Sequence, residues 1–415
     1  MKAEIIAVGT ELLLGQIVNT NAQFLAQQCA AMGIDVYFQT VVGDNDIRLK
    51  QAINLAKERA ELIIFTGGLG PTLDDITKEV LAEFLGCELI MHPYSMDKIT
   101  SFFESRGLAM VESNARQALM IAGSDALLND TGMAVGNAVT VEGTHYIVLP
   151  GPPREMKPMF ENHAKAWLRT VMKDERPLFS KMLKFCGIGE SSLEHALIDL
   201  IENQQDPTIA PYAKEGEVTI RLATKAHSQT EANQRMAATE QIIRDRLGTF
   251  LYAQEDIGIE QAVLRLLADK KATLSVAESC TGGMLSDMIT SVSGSSTSFL
   301  GGIICYSNQV KHELLKVPPH ILEGEGAPGA ISGETAQILA EQMLLLLQSD
   351  YAISITGIAG PNPAEGKPVG LVYIAIAQKG QATLVVNVKH TGDRELIKLK
   401  ATKTALYHLW KRLVE

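Results

Sequence analysis

The sequence predicts an α/β protein of three consecutive domains. A chain of 415 residues, 46% of them hydrophobic, is longer than one ordinary core and can form several packed domains. Strand-type and helix-type segments alternate over residues 1–170, which predicts a three-layer N-terminal domain around a parallel sheet. They alternate again over residues 257–415, which predicts a C-terminal α/β domain, and residues 178–253 predict a small α+β middle domain.

Composition limits the class of function and the cellular location. The formal net charge of −11 argues against a general nucleic-acid-binding protein, which needs a basic face. The five cysteines are scattered, odd in number and without metal-binding spacing, which indicates reduced thiols. No apolar run has the length of a membrane span. We therefore expect a cytoplasmic protein with no nucleic-acid and no membrane partner.

The N-terminal domain begins with strands and helices in alternation. Hydrophobic patterning predicts strands at residues 4–8, 36–42, 62–66 and 145–149. It predicts helices at residues 21–32 and 46–59, the second of them capped by Asp46. Strands that are separated by helices pair in parallel, and ligands of such sheets bind at the carboxyl ends of the strands.

Those strand ends carry glycines and carboxylates. Gly-Thr-Glu follows the first strand, Gly-Asp-Asn with Asp44 follows the second, and Pro-Gly-Pro-Pro-Arg-Glu follows residues 145–149. The loop after the third strand contains Thr66, Gly67, Gly68, Gly70, Asp74 and Asp75. Glycine-rich backbone suits phosphate, and clustered carboxylates suit a hard cation that bridges phosphate oxygens. The alternative, glycine turns and an aspartate helix cap, explains one loop but less easily several loops at one sheet edge.

The middle domain is predicted to have its elements in the order β-α-β-β-α-β. Strands are predicted at residues 183–186, 208–210, 217–224 and 250–252, and helices at residues 190–201 and 230–247, which is a split-βαβ arrangement. No Gly-x-x-Gly loop of the kind that binds nucleic acid lies between the helices, and Glu215 and Glu217 carry the wrong charge. A spacer or dimerisation role is favoured over RNA binding.

The C-terminal domain is organised around Ala-Glu-Ser-Cys-Thr-Gly-Gly at residues 277–283. A strand at residues 273–277 precedes this motif and a helix follows it, so the motif occupies a strand-to-helix turn. Further strands are predicted at residues 299–306, 351–355, 369–377 and 383–389, and helices at residues 258–269, 307–315 and 334–347 and from residue 392 onward.

Several reactive side chains fall at the strand ends of the C-terminal domain: Ser279, Thr281, Tyr306, Lys311, Thr356 and Arg394. No histidine recurs among them, and a serine without histidine can be activated by a lysine with a lowered pKa. Tyr306 could relay the proton, and Gly282 and Gly283 could donate N–H groups to an oxyanion. Cys280 is a rival nucleophile, ranked second because no histidine is placed to pair with it. The alternative for each residue is structural: a helix cap, a core aromatic or a surface ion pair.

The N-terminal motifs carry a family resemblance. Thr-Gly-Gly-x-Gly-Pro-x-x-Asp-Asp-x-Thr at residues 66–77 resembles the loop of the molybdopterin-binding family. With Gly-Thr-Glu-Leu-Leu-x-Gly at residues 9–15 and Pro-Gly-Pro-Pro-x-Glu-Met at residues 150–156, it resembles the first domain of CinA-like proteins, and the middle domain resembles their KH-like domain. The resemblance implies hydrolysis of ADP-ribose with a divalent cation (Mg, Mn or Co, with potassium also allowed), in which Asp44 and Asp75 work with the metal. Asp74 is added on its position alone.

The C-terminal motifs look like those of the nicotinamide-nucleotide amidases. The seven-residue motif, Tyr-Ser-Asn-x-x-Lys at residues 306–311, Ser-Ile-Thr-Gly-Ile-Ala-Gly-Pro at residues 354–361 and Gly-Asp-Arg at residues 392–394 carry this resemblance. It implies deamidation of nicotinamide mononucleotide without a cofactor. The positions that match those the family uses are Ser279, Tyr306, Lys311, Thr356 and Arg394. We expect Ser279, Lys311 and Tyr306 to be catalytic, and Thr281, Gly282, Gly283, Thr356, Gly357 and Arg394 to bind the substrate. In the N-terminal domain we expect Thr66, Gly67, Gly68 and Gly70 to bind the substrate of that domain.

Two loops depart from the pattern of that family, and two other functions remain open. Residues 361–366 lack a Gly-Gly-rich form, and residues 326–332 are longer than the usual Gly-Ala-Val-Ser. A homodimer is expected from the two strand-rich modules. The rival interpretations are a non-enzymatic scaffold in competence or DNA repair, and a molybdopterin-related activity of the N-terminal domain.

Overall fold

A computed structural model describes residues 1–172 and 176–415 of the chain. The chain forms two compact units: Met1–Phe179 with Lys225–Ala232, and Ser180–Thr224 with Asn233–Glu415. The first unit contains the N-terminal sheet, and the second contains most of the middle domain together with the C-terminal domain. No helix in the described ranges combines the length and the apolar character that a membrane span needs.

The first unit is built on eight strands and seven α-helices within the described residues. The strands are β1 (Lys2–Val8), β2 (Asp35–Val42), β3 (Leu62–Thr66), β4 (Leu89–Met91), β5 (Leu119–Ile121), β6 (Asp125–Leu127), β7 (Gly136–Val141) and β8 (Thr144–Leu149). The helices are α1 (Thr10–Leu13), α2 (Thr20–Ala31), α3 (Asp46–Arg59), α4 (Thr77–Leu85), α5 (Pro93–Ser105), α6 (Pro153–Met159) and α7 (Lys165–Val171).

The three-layer N-terminal domain is confirmed. Its sheet has the order β2-β1-β3-β8-β7-β6, in which β2, β1, β3 and β8 are parallel and β7 and β6 are antiparallel. Alternate residues of β1 and β3 face a core with α2 and α6 on one side and a core with α3 and α4 on the other. Asp46 is not the cap of α3: the side chain of Asn45 accepts the hydrogen bond from the N–H of Arg48, so the helix is capped one residue earlier.

The remaining strands are β9 (Leu178–Cys186), β10 (Thr208–Lys214), β11 (Glu217–Lys225), β12 (Leu251–Ala253), β13 (Leu274–Glu278), β14 (Phe299–Ile304), β15 (Tyr351–Gly357), β16 (Leu371–Gln378) and β17 (Leu384–Lys389). The helices are α8 (Glu190–Glu202), α9 (Gln229–Leu247), α10 (Ile259–Asp269), α11 (Met284–Thr290), α12 (Asn308–Glu313), α13 (Pro319–Leu322), α14 (Gly333–Leu347) and α15 (Arg394–Val414). The middle domain has the predicted β-α-β-β-α-β order, and its sheet runs β10-β11-β9-β12.

The C-terminal sheet is mixed and covered on both faces. Its order is β14-β13-β15-β16-β17, with β14, β13 and β15 parallel and β16 and β17 antiparallel. Leu274 and Val276 of β13 pack against α10 and α15, whereas Ala277 packs against α14. This alternation confirms the predicted α/β class. It also brings the carboxyl ends of β13, β14 and β15 to one edge of the sheet, where the motif residues lie.

Candidate active sites

A cavity of about 300 Å³ lies at that edge of the C-terminal sheet. The predicted residues that line it come from five separate parts of the chain: Ser279, Tyr306, Lys311, Thr356, Gly357 and Arg394. We call it the C-terminal cavity. Thr281, Gly282 and Gly283 are not among its lining residues, so three of the nine residues expected at this site lie outside it.

Ser279 and Lys311 form a hydrogen-bonded pair in this cavity. Both side chains are buried, and Lys311 Nζ lies 3.2 Å from Ser279 Oγ. Lys311 also donates to the carbonyl oxygens of Cys305, at 2.8 Å, and Tyr306, at 3.4 Å. These contacts aim the amine at the hydroxyl, which is the geometry that a general base and its nucleophile need.

The electrostatics of the cavity favour an oxygen nucleophile over a sulfur nucleophile. Burial lowers the pKa of Lys311 below its usual value, which promotes the neutral amine that can accept a proton. Burial also raises the pKa of Cys280 to about 12, so the thiolate is disfavoured although the cysteine lies beside the serine. The ranking of Ser279 ahead of Cys280 as nucleophile stays a prediction, and both pKa directions agree with it.

Tyr306 and Arg394 form the outer rim of the cavity. Arg394 donates one hydrogen bond to the phenol oxygen of Tyr306, at 3.0 Å, and another to the carbonyl of Gly360. Tyr306 is 61% exposed, and within the described residues no hydrogen bond joins its hydroxyl to Ser279 or Lys311. The arrangement places a cation and a phenol at the entrance, where they can contact a ligand. A proton relay through Tyr306 stays a prediction.

Gly282 and Gly283, which follow Ser279, do not offer free N–H groups, contrary to expectation. Gly282 N–H donates to the carbonyl of Ser279, at 3.2 Å, and Gly283 N–H donates to the carboxylate of Glu278, at 3.0 Å. In the described part of the chain, the N–H groups of Cys280 and Thr281 have no such acceptor. Of these two residues only Cys280 lines the cavity, so its N–H group is the better candidate for an oxyanion donor. The Thr281 hydroxyl is buried without a partner.

Thr356 has a structural partner inside the cavity wall. Its buried hydroxyl donates to the carbonyl of Ala330, at 2.7 Å, and so connects the end of β15 to the loop before α14. Gly357 follows it and lines the cavity with backbone. The predicted contact of the Thr356 hydroxyl with a substrate would compete with this hydrogen bond.

The sequence did not predict the contacts between the two loops that depart from the family pattern, residues 326–332 and 361–366. The carboxylate of Glu365 accepts hydrogen bonds from the N–H groups of Ala330 and Ile331, at 3.2 and 3.1 Å. Lys367 donates to the carbonyls of Pro328 and Ile331, at 2.6 and 2.7 Å. The two loops that depart from the family pattern therefore stabilise each other, and Glu365 lines the cavity. No motif signalled this, because both residues act through backbone groups that are distant in sequence.

A second cavity, of about 570 Å³, lies at the carboxyl ends of β1 and β3 in the first unit. All seven residues predicted for this site line it: Asp44, Thr66, Gly67, Gly68, Gly70, Asp74 and Asp75. Thr66 Oγ1 accepts from Asn21 Nδ2, at 2.9 Å, and donates to the carbonyl of Pro150, at 3.0 Å. Gly67 has a φ of 106°, and a Cβ there would lie 2.1 Å from the carbonyl oxygen of Val8, so only glycine fits.

The aspartates of this N-terminal cavity are held by neighbouring threonines. Asp44 Oδ2 accepts from the N–H and hydroxyl of Thr10, at 2.9 and 2.8 Å, and Asp75 Oδ2 accepts from the N–H and hydroxyl of Thr72. A hydrogen bond from Thr72 also lowers the pKa of Asp74. Arg116, which the sequence did not single out, donates to the carbonyls of Thr72 and Asp75 and so orders the loop that carries the carboxylates.

The donor chemistry of this cavity fits a hard divalent cation that is bound together with a phosphate. Within residues 1–172 and 176–415, no three His, Cys, Asp or Glu side chains are grouped as a complete metal site. Mg²⁺ commonly needs only one or two carboxylates, because waters and phosphate oxygens complete its coordination. Asp44, Asp74 and Asp75 could supply such carboxylates.

Comparisons with known proteins cover the whole chain. Residues 256–413 match the CinA C-terminal domain, residues 4–170 the probable molybdopterin binding domain, and residues 180–253 the damage-inducible protein CinA KH domain. A competence-damage inducible protein of Bacillus mycoides (strain KBAB4) is 46% identical over 415 residues, with full coverage of both chains. A Geobacillus sp. (strain WCH70) relative of the same description is 46% identical over 413 residues, 100% of this chain and 99% of that protein. A solved CinA superfamily structure from Klebsiella pneumoniae 700603 is 30% identical and covers 38% of this chain and 96% of that chain, with a TM-score of 0.36.

Proposed function

The chain belongs to the competence-damage inducible (CinA) protein family, and we propose that its C-terminal domain hydrolyses the carboxamide of nicotinamide mononucleotide to nicotinic acid mononucleotide and ammonia. One observation carries the proposal: the buried amine of Lys311, whose pKa is lowered, lies 3.2 Å from the hydroxyl of Ser279 in a cavity. This pair supplies a nucleophile and a base without metal or histidine.

The reaction uses the pair twice. Neutral Lys311 takes the proton of Ser279 as the serine oxygen bonds to the carboxamide carbon, and the N–H group of Cys280 stabilises the resulting oxyanion. The C–N bond then breaks, the protonated Lys311 gives its proton to the leaving nitrogen, and ammonia departs. Water, deprotonated by Lys311, attacks the acyl ester, releases the carboxylate product and restores the serine hydroxyl.

Arg394 is the residue best suited to bind the phosphate of this substrate. Its guanidinium lies at the cavity rim, where it already donates to two oxygen acceptors, the phenol of Tyr306 and a backbone carbonyl. A guanidinium forms paired hydrogen bonds with phosphate oxygens, so a nucleotide phosphate can replace these partners. The pyridine ring would then extend toward Ser279.

Ammonia release from nicotinamide mononucleotide tests this proposal. The wild-type chain should release ammonia and nicotinic acid mononucleotide in equal amounts, and Ser279→Ala should abolish both products. Ser291→Ala is the matched control, because Ser291 is an exposed serine directly after α11 whose hydroxyl donates to the carbonyl of Asp287. Activity that survives Ser279→Ala would contradict the assignment. Absence of activity in the wild-type chain would favour the alternative of a non-enzymatic scaffold.

For the N-terminal domain we propose hydrolysis of ADP-ribose to AMP and ribose 5-phosphate. The glycine-rich loop and three aspartates that share one cavity support the proposal. A divalent cation bound there would neutralise phosphate charge and activate water. The chain itself holds the pyrophosphate with the backbone of residues 66–70 and orients the carboxylates through Thr10, Thr72 and Arg116.

Product analysis separates this activity from a molybdopterin-related one. With ADP-ribose and Mg²⁺, Mn²⁺ or Co²⁺, with and without potassium, we expect equal amounts of AMP and ribose 5-phosphate, and none after removal of the cation by a chelator. Turnover of a molybdopterin substrate, with ADP-ribose left intact, would contradict the proposal and support the alternative.

A further inference from the structure

Glu278 is a fully buried carboxylate directly before Ser279, and the mechanism above does not use it. Its Oε2 accepts hydrogen bonds from the N–H groups of Gly283 and Leu285, both at 3.0 Å. Its Oε1 accepts from the N–H and hydroxyl of Ser286, at 2.8 and 2.7 Å. The carboxylate therefore caps the N-terminus of α11 across the intervening turn, residues 279–283, and satisfies N–H groups that have no partner within the helix.

This contact fixes both ends of the turn that carries the nucleophile. Glu278 belongs to β13, a central strand of the sheet, whereas its hydrogen-bond donors belong to α11 and the residue before it. Gly282 and Gly283 have φ values of 62° and 103°, which glycine alone adopts at low cost. A turn that contains two such flexible residues needs an external restraint to hold Ser279, at its start, in one position.

The backbone of Glu278 also contributes to the position of the base. Its carbonyl accepts from the N–H of Cys305, at 2.8 Å, and the carbonyl of Cys305 accepts from Lys311 Nζ. Lys311 Nζ in turn donates to Ser279 Oγ, and the covalent bond from Glu278 to Ser279 closes the ring. The strand end that carries Glu278 therefore sets the distance between the nucleophile and its base.

We infer that Glu278 is a positioning residue for the reaction of Ser279. Its side chain holds the turn against α11 so that the serine hydroxyl meets Lys311 Nζ. A carboxylate is required because four donors converge on two oxygen atoms, and both oxygens must accept. In a glutamine, the amide nitrogen would face N–H donors and push the turn away. The deamidation test of this inference rests on the proposed function, whereas the labelling test below does not.

The experiment compares Glu278→Gln with wild-type protein, using the full chain well below its melting temperature. We expect kcat for deamidation to fall about 100-fold with KM changed less than about twofold, because a displaced nucleophile costs rate rather than binding. The pH at half-maximal rate should stay unchanged, since the surroundings of Lys311 persist. Glu334→Gln, an exposed glutamate in the first turn of α14, should leave all values unchanged.

Labelling of Ser279 by a fluorophosphonate probe gives a second measurement that needs no nucleotide. The labelling rate should fall in Glu278→Gln by the same factor as kcat, and Ser279→Ala provides the blank. Equal labelling rates in Glu278→Gln and wild type would overturn the inference, and so would a raised KM with an unchanged kcat. Absence of labelling in the wild-type chain would also overturn it. If ammonia is not released but labelling slows, the inference stands and the proposed function fails.

Glu278→Asp decides the question if Glu278→Gln does not fold. The aspartate keeps the charge but is one methylene shorter, so we expect a loss of about tenfold in both kcat and labelling rate. A folded Glu278→Asp protein with wild-type rates would overturn the inference. Failure of both variants to fold would assign Glu278 to stability alone, and this result too would overturn it.

Discussion

Replacing Lys311 with arginine or methionine tests whether its neutral amine is the base. Arginine keeps a cation and several N–H donors for the carbonyls of Cys305 and Tyr306, but it does not lose its proton in proteins. Methionine removes the base and all donors while it keeps an unbranched side chain. We therefore expect both variants to lose deamidation, for a chemical reason in the first and for chemical and structural reasons in the second.

The size of the loss follows from the contacts of Lys311. General-base catalysis typically contributes 10²- to 10⁴-fold in rate, which is about 3–5 kcal/mol of barrier, and both variants should lose this factor in kcat. Methionine should also reduce the free energy of unfolding. Methionine leaves the buried carbonyl oxygen of Cys305 and the partly buried one of Tyr306 without this donor, and an unsatisfied buried polar group costs about 1–3 kcal/mol.

The pH dependence distinguishes a base with a lowered pKa from an ordinary lysine by where the rate levels off. Burial favours the neutral amine, so the fraction of active enzyme should rise with pH and level off below the usual pKa of lysine. We would measure kcat by ammonia release from about pH 6 to about pH 10. A rate that is independent of pH, or a Lys311→Arg variant with substantial activity, would refute the role of Lys311.

Four further predictions concern other parts of the chain. Cys280→Ala should keep deamidase activity within about threefold, because burial raises the thiol pKa to about 12; initial rates check this. Glu365→Gln should raise KM about tenfold with little change in kcat, since an amide can accept from only one of the two loop N–H groups; loss of kcat alone would contradict it. Asp44→Asn should abolish cation-dependent ADP-ribose hydrolysis, assayed as AMP release, whereas Asp46→Asn, a surface ion-pair residue, should not. Burial lowers the pKa of Lys78 from 10.5 to about 8, so the folded protein releases this proton at a lower pH than the unfolded chain does. As the pH rises between those values, the free energy of unfolding of the wild type should therefore increase by about 3 kcal/mol relative to that of Lys78→Met. A difference between the two proteins that does not change with pH in calorimetric scans would contradict this.

Local patterns predicted the fold well because the periodicity of buried residues is itself local. The third strand was predicted at residues 62–66 and is Leu62–Thr66, five buried residues in the middle of the sheet. Helix ends were predicted less well. Asp46 and Asn45 are both good capping residues, and only the extended backbone of Asn45 decides between them.

The candidate sites also contain some contacts that the sequence predicted and others that it did not. Ser279 and Lys311 could be paired from sequence, although they are 32 positions apart. Ser279 follows β13, Lys311 lies in the helix that follows β14, and the carboxyl ends of these strands meet at one edge. The N–H groups of Gly283 and Leu285 could not be assigned, because their acceptor Glu278 reaches them across a turn. The contacts of Glu365 and Arg116 were missed because they join loops through backbone atoms, and no residue pattern records which carbonyl or N–H lies nearby.

Trapping the covalent intermediate tests the account most directly. The wild-type chain would be mixed with nicotinamide mononucleotide, and the reaction would be quenched in acid during turnover. After proteolytic digestion, the mass of the peptide that contains residues 279–283 would be measured by mass spectrometry. The account predicts a nicotinate mononucleotide acyl group on Ser279, absent from Ser279→Ala. Unmodified Ser279 during steady turnover, or an acyl group on Cys280, would contradict it.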